Sequence, residues 1–181
     1  MRKIFLILLS SIFASASFAK NDTAATKIEQ AVNTRNSLFK QEVFSVENIP
    51  AFRIDAIKIT NLEKFEITNG LKVAYKHQSG KEIHSLYNFI DEDEIDGLIT
   101  SLQYMSTLLR SKSIPSGYTE IKFISRSGFE VMLYTILNDS NKLDWAFVAQ
   151  PDIKVDRSLV ALQTDDIEKL KKTFSQAKSK L

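Results

Sequence analysis

The segment from Asp91 to about Ser111 constrains this chain more than any other, because its start, face and end are all specified locally. Asp91 is placed to cap a helix, Glu94 stands three residues later where a capping-box acid reaches back, and Glu92 and Asp93 add charge that the helix dipole favours. Ile95, Leu98, Ile99, Leu102, Met105, Leu108 and Leu109 then recur at helical spacing as one wide apolar stripe. A long helix of this kind must bury that stripe, and the sequence on either side of it is strand-like.

On the N-terminal side the alternation predicts strands over Phe52 to Thr60, Lys64 to Ile67, Leu71 to His77 and Ile83 to Ile90, with Thr68-Asn69-Gly70 and Ser79-Gly80 read as hairpin turns. On the C-terminal side Ile114-Pro115-Ser116-Gly117 turns the chain into Tyr118 to Ser125 and Phe129 to Leu137, which flank Arg126-Ser127-Gly128. Leu143 to Ala149 and Ser158 to Leu162 follow. A last helix is capped by Thr164 or Asp165, with Glu168 completing a capping box and Ile167, Leu170, Phe174, Ala177 and Leu181 as its buried stripe. A weaker helix is predicted from Asn21 to Phe44, followed by a connector from Val46 to Pro50. Runs of strands interrupted by single helices predict an α+β fold: a largely antiparallel sheet from two meanders, one long central helix, a C-terminal helix and a weaker N-terminal helix.

Residues 1–19 read as a signal peptide. Arg2 and Lys3 precede the apolar run Ile4 to Leu9, and Ser17-Phe18-Ala19 offers small residues at a cleavage site, so Lys20 begins the expected mature chain. The apolar run is shorter than the roughly 20 residues a membrane span needs, and no integral membrane segment is expected after cleavage. The expected location is therefore periplasmic or extracellular. Residues 20–50 form the N-terminal helix and connector, and 51–181 a single α+β domain.

Cleavage takes two of the 24 basic residues and leaves 22 against 22 acidic ones, so no basic surface argues for nucleic acid. The chain has no cysteine, which removes disulfides, thiol catalysis and thiolate metal sites, and a bridge-free exported domain depends on its core.

The segment Tyr87-Asn88-Phe89-Ile90-Asp91-Glu92-Asp93-Glu94-Ile95, with Tyr118-Thr119-Glu120, the Gly128-Phe129 hairpin and the closing Leu162 to Leu181, resembles a widespread set of uncharacterised exported bacterial proteins. The resemblance implies a shared fold and brings no activity or site with it.

Chemistry has few footholds. Read as a calcium loop, Asp91 onward has Ile95 at position 5, Asp96 in place of the turn glycine and Leu102 at the bidentate position, so the acidic cluster is taken as a charged helix start. His77 and His84 lie on two arms of one hairpin; with Ser79-Gly80 as the turn, His77 faces Glu82 and His84 faces Tyr75, and no metal site is expected. No serine stands in a nucleophile setting, no glycine set makes a phosphate loop, and Arg126 is taken as a solvated hairpin-tip residue. No catalytic residue, metal or cofactor is assigned.

One pattern resists a bland reading. Phe129, Val131, Leu133, Thr135 and Leu137 face one way while Met132, Tyr134 and Ile136 face the other, and Leu143 to Ala149 is apolar on both faces too, whereas a sheet wet on one side alternates cleanly. Two helices covering one face each would explain this. The sharper reading takes Met132, Tyr134, Ile136, Trp145 and Phe147 as a candidate surface for a ligand or partner. The expected function is an exported binding or interaction module, not an enzyme, whose partner is a protein or small apolar ligand. A carrier of a small hydrophobic ligand and a hydrolase built from dispersed carboxylates are the alternatives.

Overall fold

The computed structural model describes residues 25–49, 52–79, 81–155 and 158–181; the expected signal peptide lies outside them. The chain runs α1 (Lys27–Asn33), β1 (Phe39–Ile49), β2 (Phe52–Asn61), β3 (Ile67–Ser79), β4 (Glu82–Asp91), α2 (Glu92–Ser111), β5 (Glu120–Ile124), β6 (Glu130–Leu137), β7 (Leu143–Gln150), β8 (Val160–Leu162) and α3 (Asp166–Lys178). Two four-stranded antiparallel meanders, β1-β2-β3-β4 and β5-β6-β7-β8, are each followed by a helix, which is the expected α+β fold.

The expected order of elements holds, but two of its parts differ. Of the helix expected from Asn21 to Phe44, the described residues 25–44 form only α1, closed by the extended Thr34 and by Asn36 at a φ of 55°, and residues 46–49 of the expected connector are the end of an eleven-residue strand; residues 21–24 and 50 lie outside the described residues. Pairing along β2 supplies hydrogen bonds that an isolated helix through Phe39, Val43 and Phe44 would have to outweigh, and their aromatic and β-branched side chains suit a strand. The segments Lys64 to Ile67 and Leu71 to His77 belong to one turn and one strand, since Thr68, Asn69 and Gly70 all pair with β2. The chain reverses instead just after Asn61. Its Oδ1 accepts the N–H groups of Glu63 at 2.9 Å and Lys64 at 3.0 Å, and its N–H bonds the Glu66 carbonyl at 2.8 Å. Gly70 is a point of close approach: a Cβ there would fall far inside contact with Ile28 of α1 and the Ile90 carbonyl.

One core joins the two halves. Phe52, Ile54, Leu71 and Val73 of the first sheet meet Ile95, Leu98, Leu102 and Met105 of α2, Phe174 of α3, and Phe129, Val131 and Phe147 of the second sheet. Phe129 sits 6.0 Å from Phe52 and 5.7 Å from Phe174, both edge-on, so one ring ties both sheets to α3. The other face of the first sheet is closed by α1, whose Ile28 packs with Ile57, Ile59 and Phe89. In α3 the Glu168 carboxylate does not reach back to its helix start. It bonds Ser106 and Arg110 of α2 and Lys171, which pulls it across the interface between the two helices.

Candidate functional site

The acidic start of α2 is a knot of contacts. Asp91, fully buried, is the N-cap of α2, and its carboxylate accepts the N–H groups of Lys27 at 2.9 Å and Ile28 at 3.2 Å at the start of α1. Arg126, on the turn between β5 and β6, pairs with Asp91 and with Asp93 at 3.3 Å, while its backbone N–H bonds Glu94 Oε1 at 2.6 Å. Lys27 reaches Asp93 at 2.8 Å. The Arg126 and Lys27 cations hold the Asp93 carboxyl below its ordinary value, with Lys27 the larger influence. Oxygens of Asp91, Asp93 and Glu94 lie within 4.8 Å of one another, yet two cations and backbone donors already face them. The cluster therefore binds α1, α2 and the second sheet together. Arg126, expected to be solvated, is its centre.

The second sheet divides the candidate surface. Trp145 and Phe147 lie in the core, and the Trp145 indole N–H donates to the Ser113 carbonyl at 3.1 Å, so this pair offers no surface to a partner. One face of this sheet is therefore covered by the core, and no helix takes the other, so the expectation of one helix on each face does not hold among the described residues. Met132 and Tyr134 are half-buried and Ile136 is exposed on the opposite face. His77 and His84 are direct cross-strand neighbours, not offset, because Ser79 pairs with Glu82. His84 lies 3.4 Å from Glu82, and neither histidine joins a cluster of three metal-ligating side chains among the described residues.

A further cleft among the described residues involves none of these residues. The last β2–β3 pair is Phe52 with Tyr75, beyond which β3 and β4 continue as a two-stranded ribbon. At that step opens a cleft of about 780 Å³, a size typical of small-molecule sites. Strand alternation sorts its lining. Ile49, Phe52, Tyr75 and Leu86 come from the core side and meet Pro151 and Val160 of the second half; Arg53, Lys72, Lys76 and Tyr87 come from the outer side. Buried Asn88 fixes the second wall, donating to the carbonyls of Pro151 at 3.1 Å and Ser127 at 3.3 Å. The Ser158 hydroxyl, bonded to the Asp152 carbonyl at 2.6 Å, holds the chain between β7 and β8 beside it.

Arg53 is committed to Asp55 at 2.9 Å. The Lys72 ammonium lies 4.6 Å from the centre of the Tyr87 ring, and neither Lys72 nor Lys76 pairs with a carboxylate among the described residues. Burial, helped by the charge of Asp152, pushes the Tyr75 phenol up to about 12, so it stays protonated; its hydroxyl has no hydrogen-bond partner among the described residues. The lining thus combines apolar residues of the sheet's core face with cationic residues of its outer face. Sequence reasoning missed it because its lining comes from five strands and a connection, and Lys72 and Lys76 flank Ala74 in a pattern any solvated strand face would show.

No family model, curated protein or solved structure matches this chain.

Proposed function

We propose that this protein is an exported binding module that holds a small amphipathic molecule, apolar along its body and anionic at its head, in the cleft at the step of the first sheet. The observation that carries the reading is the two-sided lining: Phe52, Leu86 and Val160 for the body, Lys72 and Lys76 for the head. Burying an apolar chain against the first wall gains about 25 cal/mol for each Å² removed from water. The unpaired lysines favour a negative head over a neutral or positive one. This is the carrier reading anticipated from the apolar sheet faces, moved to a different surface. The hydrolase reading has less support: Glu130, a carboxyl that burial pushes up, does not line the cleft.

Laurate, dodecanol and dodecyltrimethylammonium, titrated calorimetrically below their aggregation thresholds, test this. Laurate should bind saturably, the cation should not, and Lys72→Glu with Lys76→Glu should weaken laurate by about tenfold or more, which corresponds to 1.4 kcal/mol. Absence of saturable laurate binding, or equal binding by all three probes, would refute it.

A further inference from the structure

Among the described residues strand β1 is an edge of the first sheet, and Leu38 just before it and Phe39, Val43 and Phe44 in its first half are exposed beside the charged Lys40 and Glu42. Which backbone groups point off this edge follows from one hydrogen bond. The Leu62 N–H donates to the Leu38 carbonyl at 2.8 Å, so residues 38, 40, 42 and 44 turn their N–H and C=O groups toward β2. Those of residues 39, 41 and 43 therefore face outward, unpaired by any strand among the described residues. The register shift between Ser45 and Glu47 ends this regular stretch.

We propose that this edge pairs with the same edge of a second copy of the chain, antiparallel about a two-fold axis at Gln41, making one eight-stranded sheet across the dimer. Around that axis Gln41 meets Gln41, Lys40 meets Glu42, Phe39 meets Val43 and Leu38 meets Phe44. Apolar side chains thus meet apolar ones and each charge meets its opposite. The outward-facing backbone agrees with the same axis, since positions 39, 41 and 43 supply the hydrogen-bonded pairs and positions 40 and 42 the intervening ones. Both contacts are isologous, as a two-fold interface requires. The Lys40–Glu42 ion pair at 2.8 Å within each strand exchanges for one between strands, two pairs for two across the dimer. An exposed edge that carries Phe39, Val43 and Phe44 is otherwise an aggregation hazard, and self-pairing closes it.

Sedimentation equilibrium on the purified protein tests the axis. The wild type should be a dimer at micromolar concentration. Lys40→Glu and Glu42→Lys should each weaken it by about tenfold or more, because two like-charge pairs then face each other. Mixing the two variants should restore a heterodimer, and the double swap K40E/E42K should restore the homodimer. A monomeric wild type, single variants as dimeric as the wild type, or a mixture that stays monomeric while both variants keep the native Trp145 emission would each overturn the proposal.

Discussion

Replacing Arg126 with methionine isolates the energetics of the knot at the start of α2. The substitution keeps most of the side chain's apolar length but removes the cation facing Asp91, which is fully buried and has no water of its own to fall back on. Removing one partner of a buried ion pair costs about 3 to 5 kcal/mol, chiefly because it strands the other charge. Two features place Arg126→Met at the lower end. Asp91 keeps the N–H groups of Lys27 and Ile28, and Arg126 is itself about 32% exposed, so water reaches part of the vacated space. A loss of about 3 kcal/mol is therefore expected in urea unfolding followed by the single tryptophan, Trp145, which sits in the core. Asp91→Asn in the same background removes the stranded charge while keeping the side chain's size and one acceptor, and should return about 1 kcal/mol or more. Asp93→Ala, which breaks only half-exposed pairs, should cost under about 1 kcal/mol. A loss below about 1 kcal/mol for Arg126→Met, or a double variant no better than the single, would show that Asp91 does not depend on the guanidinium and that the knot is misread.

Two further outcomes follow from the packing. Gly70→Ala should destabilise by about 1 to 3 kcal/mol or more in the same titration, because the added methyl meets the Ile90 carbonyl, which no rotamer change can move, as well as Ile28; an unchanged midpoint would mean that α1 does not seat on β3. The Glu168 carboxyl is held down to about 2, against its ordinary 4.5, by hydrogen bonds from Lys171 and Ser106 and by the charge of Arg110. A depressed carboxylate contributes stability that is complete above 4.5 and lost as the pH falls toward 2, so Glu168→Gln should flatten the stability profile in that window and leave its slope above pH 5 unchanged.

How much of this was legible in the chain depends on where each determinant lies. Asp91 and the Glu94 that accepts its N–H at 3.2 Å stand three residues apart, and the stripe from Ile95 to Met105 repeats within a few turns; every cause of α2 is local, so its bounds were readable. Strand β1 was not, because an edge strand with Phe39 and Val43 on one face and Phe44 on the other has no clean period of two, and only its ladder to β2 selects extended backbone. Asn69-Gly70 has the composition of a turn in either reading, and what decides against one is Ile28, packed there from a helix distant in sequence. The apolar doubling of the second sheet predicted cover on both faces, but the core covers only the face of Trp145 and Phe147, leaving Met132 and Tyr134 half-buried and Ile136 exposed on the outer face.

By itself, then, the sequence determined the elements whose signals fit inside a short stretch of chain: two helices with their stripes, the cap of the first of them, most strand segments, and the alternation of meander and helix that makes the fold α+β. Tertiary structure alone decided what those elements do together. It aimed Arg126 at a buried carboxylate, brought Lys72 and Lys76 of one sheet face and Phe52 and Leu86 of the other to the lining of one cleft, and left β1 at an edge. The physical reason is that strand register and helix seating are set by long-range burial, which rewards the whole arrangement and leaves no mark on the residues that later share a site.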